Sequence, residues 1–170
     1  MTPSATEQYI LRLTELKAGE KSLLRAHAGA PLHRSVEGFD LFTGLWWPLR
    51  QESSRAPRRA VAWLVAKLFS LTAVPHEHGQ AFAGQLARAL PNEPSVRRRS
   101  VARMDALLQL PLAELESPLR WGLDQLGASR RGVDWVELTD DLSIWEREGT
   151  RLRWAEAFFR EAALRLPIDW

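Results

Sequence analysis

The residue types most suited to chemistry in this sequence are arginines, and they come in clusters. Arg97, Arg98 and Arg99 are consecutive, and Arg103 follows Arg99 by four residues. On a helix that spacing puts Arg99 and Arg103 on one face. A guanidinium is a planar fork of donors that matches phosphate oxygens two at a time. Arg58 and Arg59 follow Pro57, a residue suited to a first helical position. Both clusters fall where helices are predicted to begin. There they oppose the positive end of the helix dipole, at about 0.3–1 kcal/mol per charge. A phosphate on such a terminus would meet backbone N–H groups, guanidinium forks and the dipole together. The chemistry predicted is a sequence-independent grip on nucleic-acid phosphates. Arg130 and Arg131 end a predicted helix, where positive charge is favourable, so a simple charge complement also accounts for them. For any single arginine a solvated face and a phosphate contact stay open; the 97–103 cluster is read as functional.

Other chemistries lack their residues. His76-Glu77-His78 is the single His-x-His, with His27 and His33 the only further histidines, too few ligands at that spacing for a metal centre. Asp140 and Asp141 are adjacent, so on a helix they diverge and cannot readily share a proton. Glu114 and Glu116 are no better paired. Ser35, Ser53, Ser54 and Ser129 have no evident base, and no Gly-x-Ser-x-Gly, phosphate-binding or dinucleotide-binding glycine motif occurs. A non-enzymatic protein without cofactor or metal is expected. There is no cysteine, which excludes disulfides, thiol nucleophiles and cysteine-ligated metals.

Charge is distributed unevenly. The net charge of +2 conceals segments of zero (residues 1–49), +7 (50–103) and −5 (104–170). The middle is suited to a polyanion and the end to a protein partner. Arg outnumbers Lys by 20 to 3, which favours phosphate recognition but also follows from a GC-rich genome. No apolar run reaches the roughly 18–20 residues of a membrane span, and Met1 to Leu11 does not read as a signal peptide. A cytoplasmic protein is expected.

The elements that must position these arginines are helices from end to end. Ala5 to Lys17 places Tyr9, Leu13 and Leu16 on one face, with Ile10 beside them, and Gly19 is expected to interrupt it. Leu23 and Leu24 continue to a stop near Gly29–Pro31. Gly38 to Trp47 is a short apolar piece ended by Pro48. Ala60 to Ala66 is apolar without a break, so this helix should be central. Gly79 to Leu90 carries Phe82, Leu86 and Leu90. Pro91-Asn92-Glu93-Pro94 is the clearest break, and a boundary is placed there, dividing residues 1–93 from 94–170.

Ser95 is the expected N-cap of the next helix, with Val101, Met104, Leu107 and Leu108 inward. Leu112 to Ala128 is helical, with Ser117-Pro118 either kinking it or restarting it. Asp134 and Glu137 suggest a capping box for a helix bearing Trp135, Leu138, Leu142 and Trp145. The last helix, Gly149 to Arg165, stacks Leu152, Ala155, Phe158 or Phe159, and Ala162. Short connections favour an antiparallel four-helix bundle for 94–170. The fold class is all-α, two small helical bundles packed together. Trp63, Trp135 and Trp145 read as core. For Trp46 and Trp47, packing is the better reading, with base stacking or a protein interface as the alternative.

The second half resembles a known family. Arg103-Met104 before Leu107-Leu108, Leu119-Arg120, Asp134-Trp135 with Leu138, Asp141-Leu142 and Trp145, then Arg151 with Trp154, follow in order the pattern of the CasB family, the small subunit of the type I-E CRISPR Cascade complex. The Ala60–Leu71 and Gly79–Leu90 helices match its middle, and Leu24-Arg25 and Phe39–Pro48 its beginning. Met104 stands where the family has an aromatic, and Trp121-Gly122 where it has a basic and an apolar residue.

The resemblance implies an all-α, non-catalytic subunit that braces the guide RNA–target DNA hybrid and helps hold the displaced strand. It would sit beside other Cascade subunits and a second copy of itself, with no membrane contact. It brings Arg25 and Arg120 into the nucleic-acid-binding set and favours Arg103 within it. Two other readings compete. One is a helical adaptor without nucleic-acid binding. The other is a helix-turn-helix regulator, for which no base-reading recognition helix is found.

Overall fold

The computed structural model describes residues 2–34 and 36–165, and its regular elements there are helical apart from one isolated bridge between His76 and Val133. The α-helices are α1 (Ala5–Thr14), α2 (Ala18–Ala26), α3 (Val36–Glu52), α4 (Arg59–Leu71), α5 (Phe82–Ala89), α6 (Pro94–Gln109), α7 (Glu116–Ala128), α8 (Trp135–Ser143) and α9 (Glu148–Arg165). The chain is all-α, as expected. It divides into two compact units, Met1–Ala73 and Val74–Trp170. The boundary expected at 93/94 therefore lies inside the second unit. The cause is α5. Its Phe82 ring sits 5.2 Å from that of Trp154, and Arg88 bridges to Glu161 at 2.8 Å, so α5 packs on α9. Pro91–Pro94 is a turn within that unit, which holds five α-helices among the described residues rather than the four expected of a bundle starting at residue 94.

In the first unit α4 is central, as its composition requires. Val61 through Leu68 are all buried. Lys67 lies among them because its Nζ donates to the Ala30 carbonyl at 2.9 Å and stands 5.2 Å from the Trp63 ring. The α1 helix opens with a full capping box between Ser4 and Glu7 and sends the Tyr9 hydroxyl to the Ala62 carbonyl at 2.6 Å. Gly19 does not interrupt a helix. It lies in the first turn of α2, where a glycine costs least, and the break falls before it.

Pro48 does not end a helix either; α3 runs through it to Glu52. A proline inside a helix deprives the carbonyl four residues earlier of its donor. That carbonyl is Gly44's; the same turn is tied to α1 one residue further on, where Arg12 donates to the Leu45 carbonyl at 3.2 Å, and Leu49 is buried.

In the second unit the aromatic stripe is core. Trp135, Leu138, Leu142 and Trp145 are all buried, and the Trp145 ring meets Trp154 of α9 edge-on at 5.0 Å. Each polar atom of the stripe has a partner. The Trp135 indole donates to the Val74 carbonyl at 3.0 Å and the Trp145 indole to the Leu110 carbonyl at 2.9 Å. Asp141 accepts from the Trp154 indole at 2.7 Å and from Arg153 at 2.9 Å. Arg151 donates to the Trp145 carbonyl at 3.1 Å and covers its ring. The Asp-Trp…Asp-Leu…Trp pattern and the Arg-x-x-Trp that follows are thus one hydrogen-bonded core. Asp141 is an acceptor inside it.

Asp134 caps α8, accepting from the Glu137 N–H at 3.0 Å, and it also accepts from the Gly79 N–H at 2.9 Å. The reciprocal half of the expected capping box is replaced, because the Asp134 N–H goes to the Gln80 carbonyl. Burial raises the Asp134 carboxyl. The two backbone N–H groups and the nearby His76 and His78 outweigh it, and the net shift is below the ordinary carboxylate value. A depressed folded pKa contributes stability above the unfolded value of about 3.9, and that stability is lost as pH falls through the folded value. Asp134→Ala should therefore cost roughly 1–2 kcal/mol at pH 7. The gap to the natural protein should narrow as pH falls from about 5 toward 2 in urea unfolding at stepped pH. A gap independent of pH would show that the carboxylate charge is irrelevant.

Candidate nucleic-acid interface

The α6 helix decides which arginines of the main cluster can meet a ligand. Its buried stripe is Arg97, Ser100, Met104 and Leu107, at spacings of three, four and three. Val101 and Leu108, expected inside, are only half-buried. Arg97 is the larger correction. It is 1% exposed, with a terminal guanidinium nitrogen 3.5 Å from Asn92 Oδ1, so it is a packing residue and not part of the surface. At roughly 100° per residue, Arg99 and Arg103 lie side by side on one flank of that stripe, and Arg98 turns to the other. All three are exposed.

The start of α6 also differs from expectation. Glu93, not Ser95, is the N-cap, Pro94 is the first helical residue, and the Ser95 hydroxyl goes to Glu93. Arg97–Arg99 thus lie beyond the first turn, and a carboxylate stands at the helix end. What α6 offers a phosphate is its flank, not its terminus.

That flank is continued by α7. The Arg103 guanidinium carbon lies 5.1 Å from the centre of the Trp121 ring, a cation–π contact. Neither nearby carboxylate takes Arg103: Asp105 accepts from Gln109 at 3.5 Å and Glu93 from Ser95 at 2.8 Å. The contact places the guanidinium beside an aromatic face, which takes none of its hydrogen-bond donors in a bond to a carboxylate. Arg120, next to Trp121, is exposed. Trp121 and Gly122, which depart from the family pattern, both have a use here. Gly122 is needed where α7 meets α5, because an added Cβ would lie 2.6 Å from Phe82 Cζ. Sequence reasoning missed Trp121. An indole eighteen residues from its cation gives no local signal.

Arg130 is exposed and Arg131 half-buried in the turn closing α7. The Arg131 N–H bonds the Leu126 carbonyl and the Arg130 N–H the Gly127 carbonyl, a Schellman closure. Arg130 holds the left-handed position at φ 56°, where glycine is usual and a side chain carries a conformational cost. The Arg131 side chain reaches Gln85 at 3.5 Å, a structural use.

Arg25, Arg58 and Arg59 belong to the first unit. Arg25 is exposed in the last turn of α2 and donates to Ser22 at 2.7 Å. Arg58 is the N-cap of α4 and Arg59 its first residue, with no side-chain cap bond and no acid in the first turn. They do open the helix, but Pro57, expected at its first position, lies before the N-cap. The His-x-His loop is tied into the fold, with His76 Nδ1 accepting from the Trp135 N–H at 3.1 Å. No helix among the described residues is long and apolar enough to cross a membrane.

The family model of the CRISPR-associated protein Cse2 matches residues 20–159. Among solved structures, CasB of M. ruber is similar with a TM-score of 0.72 at 20% identity, covering 98% of this chain and 99% of its own. CasB of Thermus thermophilus has a TM-score of 0.67 at 23% identity, covering 89% and 94%. CasB of Thermobifida fusca has 0.62 at 17%, covering 91% and 90%. These identities speak to the fold. Among curated proteins none matches.

Proposed function

The chain belongs to the CRISPR-associated Cse2 family, and from that premise we propose that it acts as the non-catalytic small subunit of a type I-E RNA-guided surveillance complex, holding nucleic-acid backbone. The observation that carries this reading is the α6–α7 flank. There Arg99 and Arg103 are exposed side by side on α6, and Arg103 lies against Trp121 of α7 and is paired with no carboxylate among the described residues; Arg120 is also exposed on α7. Arg98 and Arg130 extend the unit's exposed cationic surface. Such contacts go to phosphates, so they act alike on every sequence. Its partners are the guide RNA, the target DNA, the other Cascade subunits and a second copy of the chain.

Energetics favour a subunit of this kind. Exchanging a DNA duplex for an RNA–DNA hybrid is nearly balanced, so a few added backbone contacts decide how long the R-loop persists. The experiment is reconstitution of a guide-RNA complex with and without this chain, followed by R-loop dissociation. The complex lacking the chain should lose its R-loop faster, and more so at higher salt. Equal lifetimes, with the chain demonstrably incorporated, would leave a scaffold without nucleic-acid contact.

A further inference from the structure

The first unit carries an aromatic groove, whereas the α6–α7 flank belongs to the second. One face of α3 supplies Phe39, Thr43, Trp46, Trp47 and Arg50, and the start of α4 supplies Arg58 and Arg59. The cavity is about 520 Å³, within the roughly 300–1,000 Å³ that small ligands occupy. Trp47 is 47% exposed and Phe39 42%, two of the largest apolar surfaces the described residues leave in water. The groove's walls are fixed in advance. The Trp46 indole donates to the Pro57 carbonyl at 2.6 Å and stacks on Phe42, and Arg50 donates to the Ser54 and Ala56 carbonyls at 2.9 and 2.7 Å. Trp47 leans on Trp46 with ring centres 5.7 Å apart.

Charge selects the occupant. Three guanidiniums and no carboxylate line the groove among the described residues. Arg58 and Arg59 also stand at the N-terminus of α4, where positive side chains weaken a helix and an anion reverses that cost. Flat aromatic faces beside phosphate-binding forks match the way unpaired nucleotides are held: the base stacks and the backbone is neutralised.

We infer that this groove stacks one unpaired base of a single strand against Trp47 and Phe39, with the flanking phosphates on Arg58 and Arg59. The inference rests on the nucleic-acid-binding reading above and adds to it a second, base-dependent contact.

The test compares the full chain's binding to oligothymidylate and to an abasic oligomer with the same number of phosphates, at low salt. The natural protein should prefer oligothymidylate by roughly 5- to 150-fold, the range of one stacked base. Trp47→Ala, with unchanged melting, should reduce that preference toward one and leave the salt slope alone, and Trp47→Phe should restore most of it. Arg99→Ala with Arg103→Ala should do the reverse, lowering the slope and keeping the preference. If Trp47→Ala does not fold, Arg59→Glu reads the same site and must weaken oligothymidylate binding. Equal binding of both oligomers by the natural protein overturns the stacking site and leaves the phosphate grip standing. Binding of neither overturns both. A groove that takes a protein instead would show unchanged preference in Trp47→Ala together with failed incorporation into the complex, and that also overturns the inference.

Discussion

Replacing Trp145 with Ala should destabilise the second unit by about 3–5 kcal/mol, the usual cost of deleting a large buried aromatic. Trp145 is 0% exposed, and its ring is enclosed by Trp154 and Arg151. Its indole N–H is the partner of the Leu110 carbonyl, so truncation leaves that acceptor without its donor as well as opening a cavity. At a urea dependence of about 2 kcal/mol per molar, the midpoint should fall by roughly 1.5–2.5 M. Trp145→Phe separates the two effects, since it keeps most of the ring and removes only the donor. Its cost should be well below that of Ala. Trp47→Ala is the matched control on an exposed indole and should shift the midpoint little. A near-zero shift for Trp145→Ala would refute the core assignment.

The Trp145 stripe is legible in the sequence because spacings of three and four repeat there, although α8, expected to run to Glu146, ends at Ser143 and Trp145 is buried from the turn after it. The same rule fails where geometry depends on distant partners. Arg97 is buried because the inward stripe of α6 passes through it, while its charge marks it as surface. Leu152, expected in the core of α9, is 57% exposed; the inward line is Trp154, Phe158 and Ala162. Hydropathy alone cannot choose between two registers when a tryptophan has a buried acceptor, here Asp141, to satisfy its N–H. Proline is a weaker stop than expected at Pro48, where packing carries the helix onward. At Pro91–Pro94 the expected helix break is present, but the compact unit continues across it because α5, before the break, packs on α9. At Pro118, in the first turn of α7, no donor is missing, and of the two expected outcomes, a kink or a restart, the structure takes the restart. The candidate site shows the same division. The exposed arginines of α6 are legible from their run and their i, i+4 spacing. The ring that braces Arg103 comes from the next helix and is not.

Removing both Arg99 and Arg103 should weaken single-strand binding without unfolding the chain. The side chains are exposed, so their loss costs the fold little. Each phosphate left without its arginine should lower the slope of log K against log salt by about 0.7 on a single strand, so the double Ala variant should lose about 1.4. Affinity should fall alike for all sequences, because phosphates carry no sequence. Arg103→Lys tests the role of Trp121. It retains the charge, so the slope should hold. It loses the planar fork stacked on the indole, so affinity should drop at every salt concentration. Arg97→Ala should behave in the opposite way. As a buried cation packed on the same stripe as Met104 and Leu107, it should lower the urea midpoint when removed, and any effect on binding should follow from the loss of folded protein. The decisive comparison is between neighbours on one helix. If Arg97→Ala and the Arg99/Arg103 double variant have the same effect on stability and on salt slope, the division of α6 into a packing face and a phosphate-facing flank is wrong. If stability follows Arg97 while the slope follows Arg99 and Arg103, one turn of helix separates the fold's arginine from the ligand's.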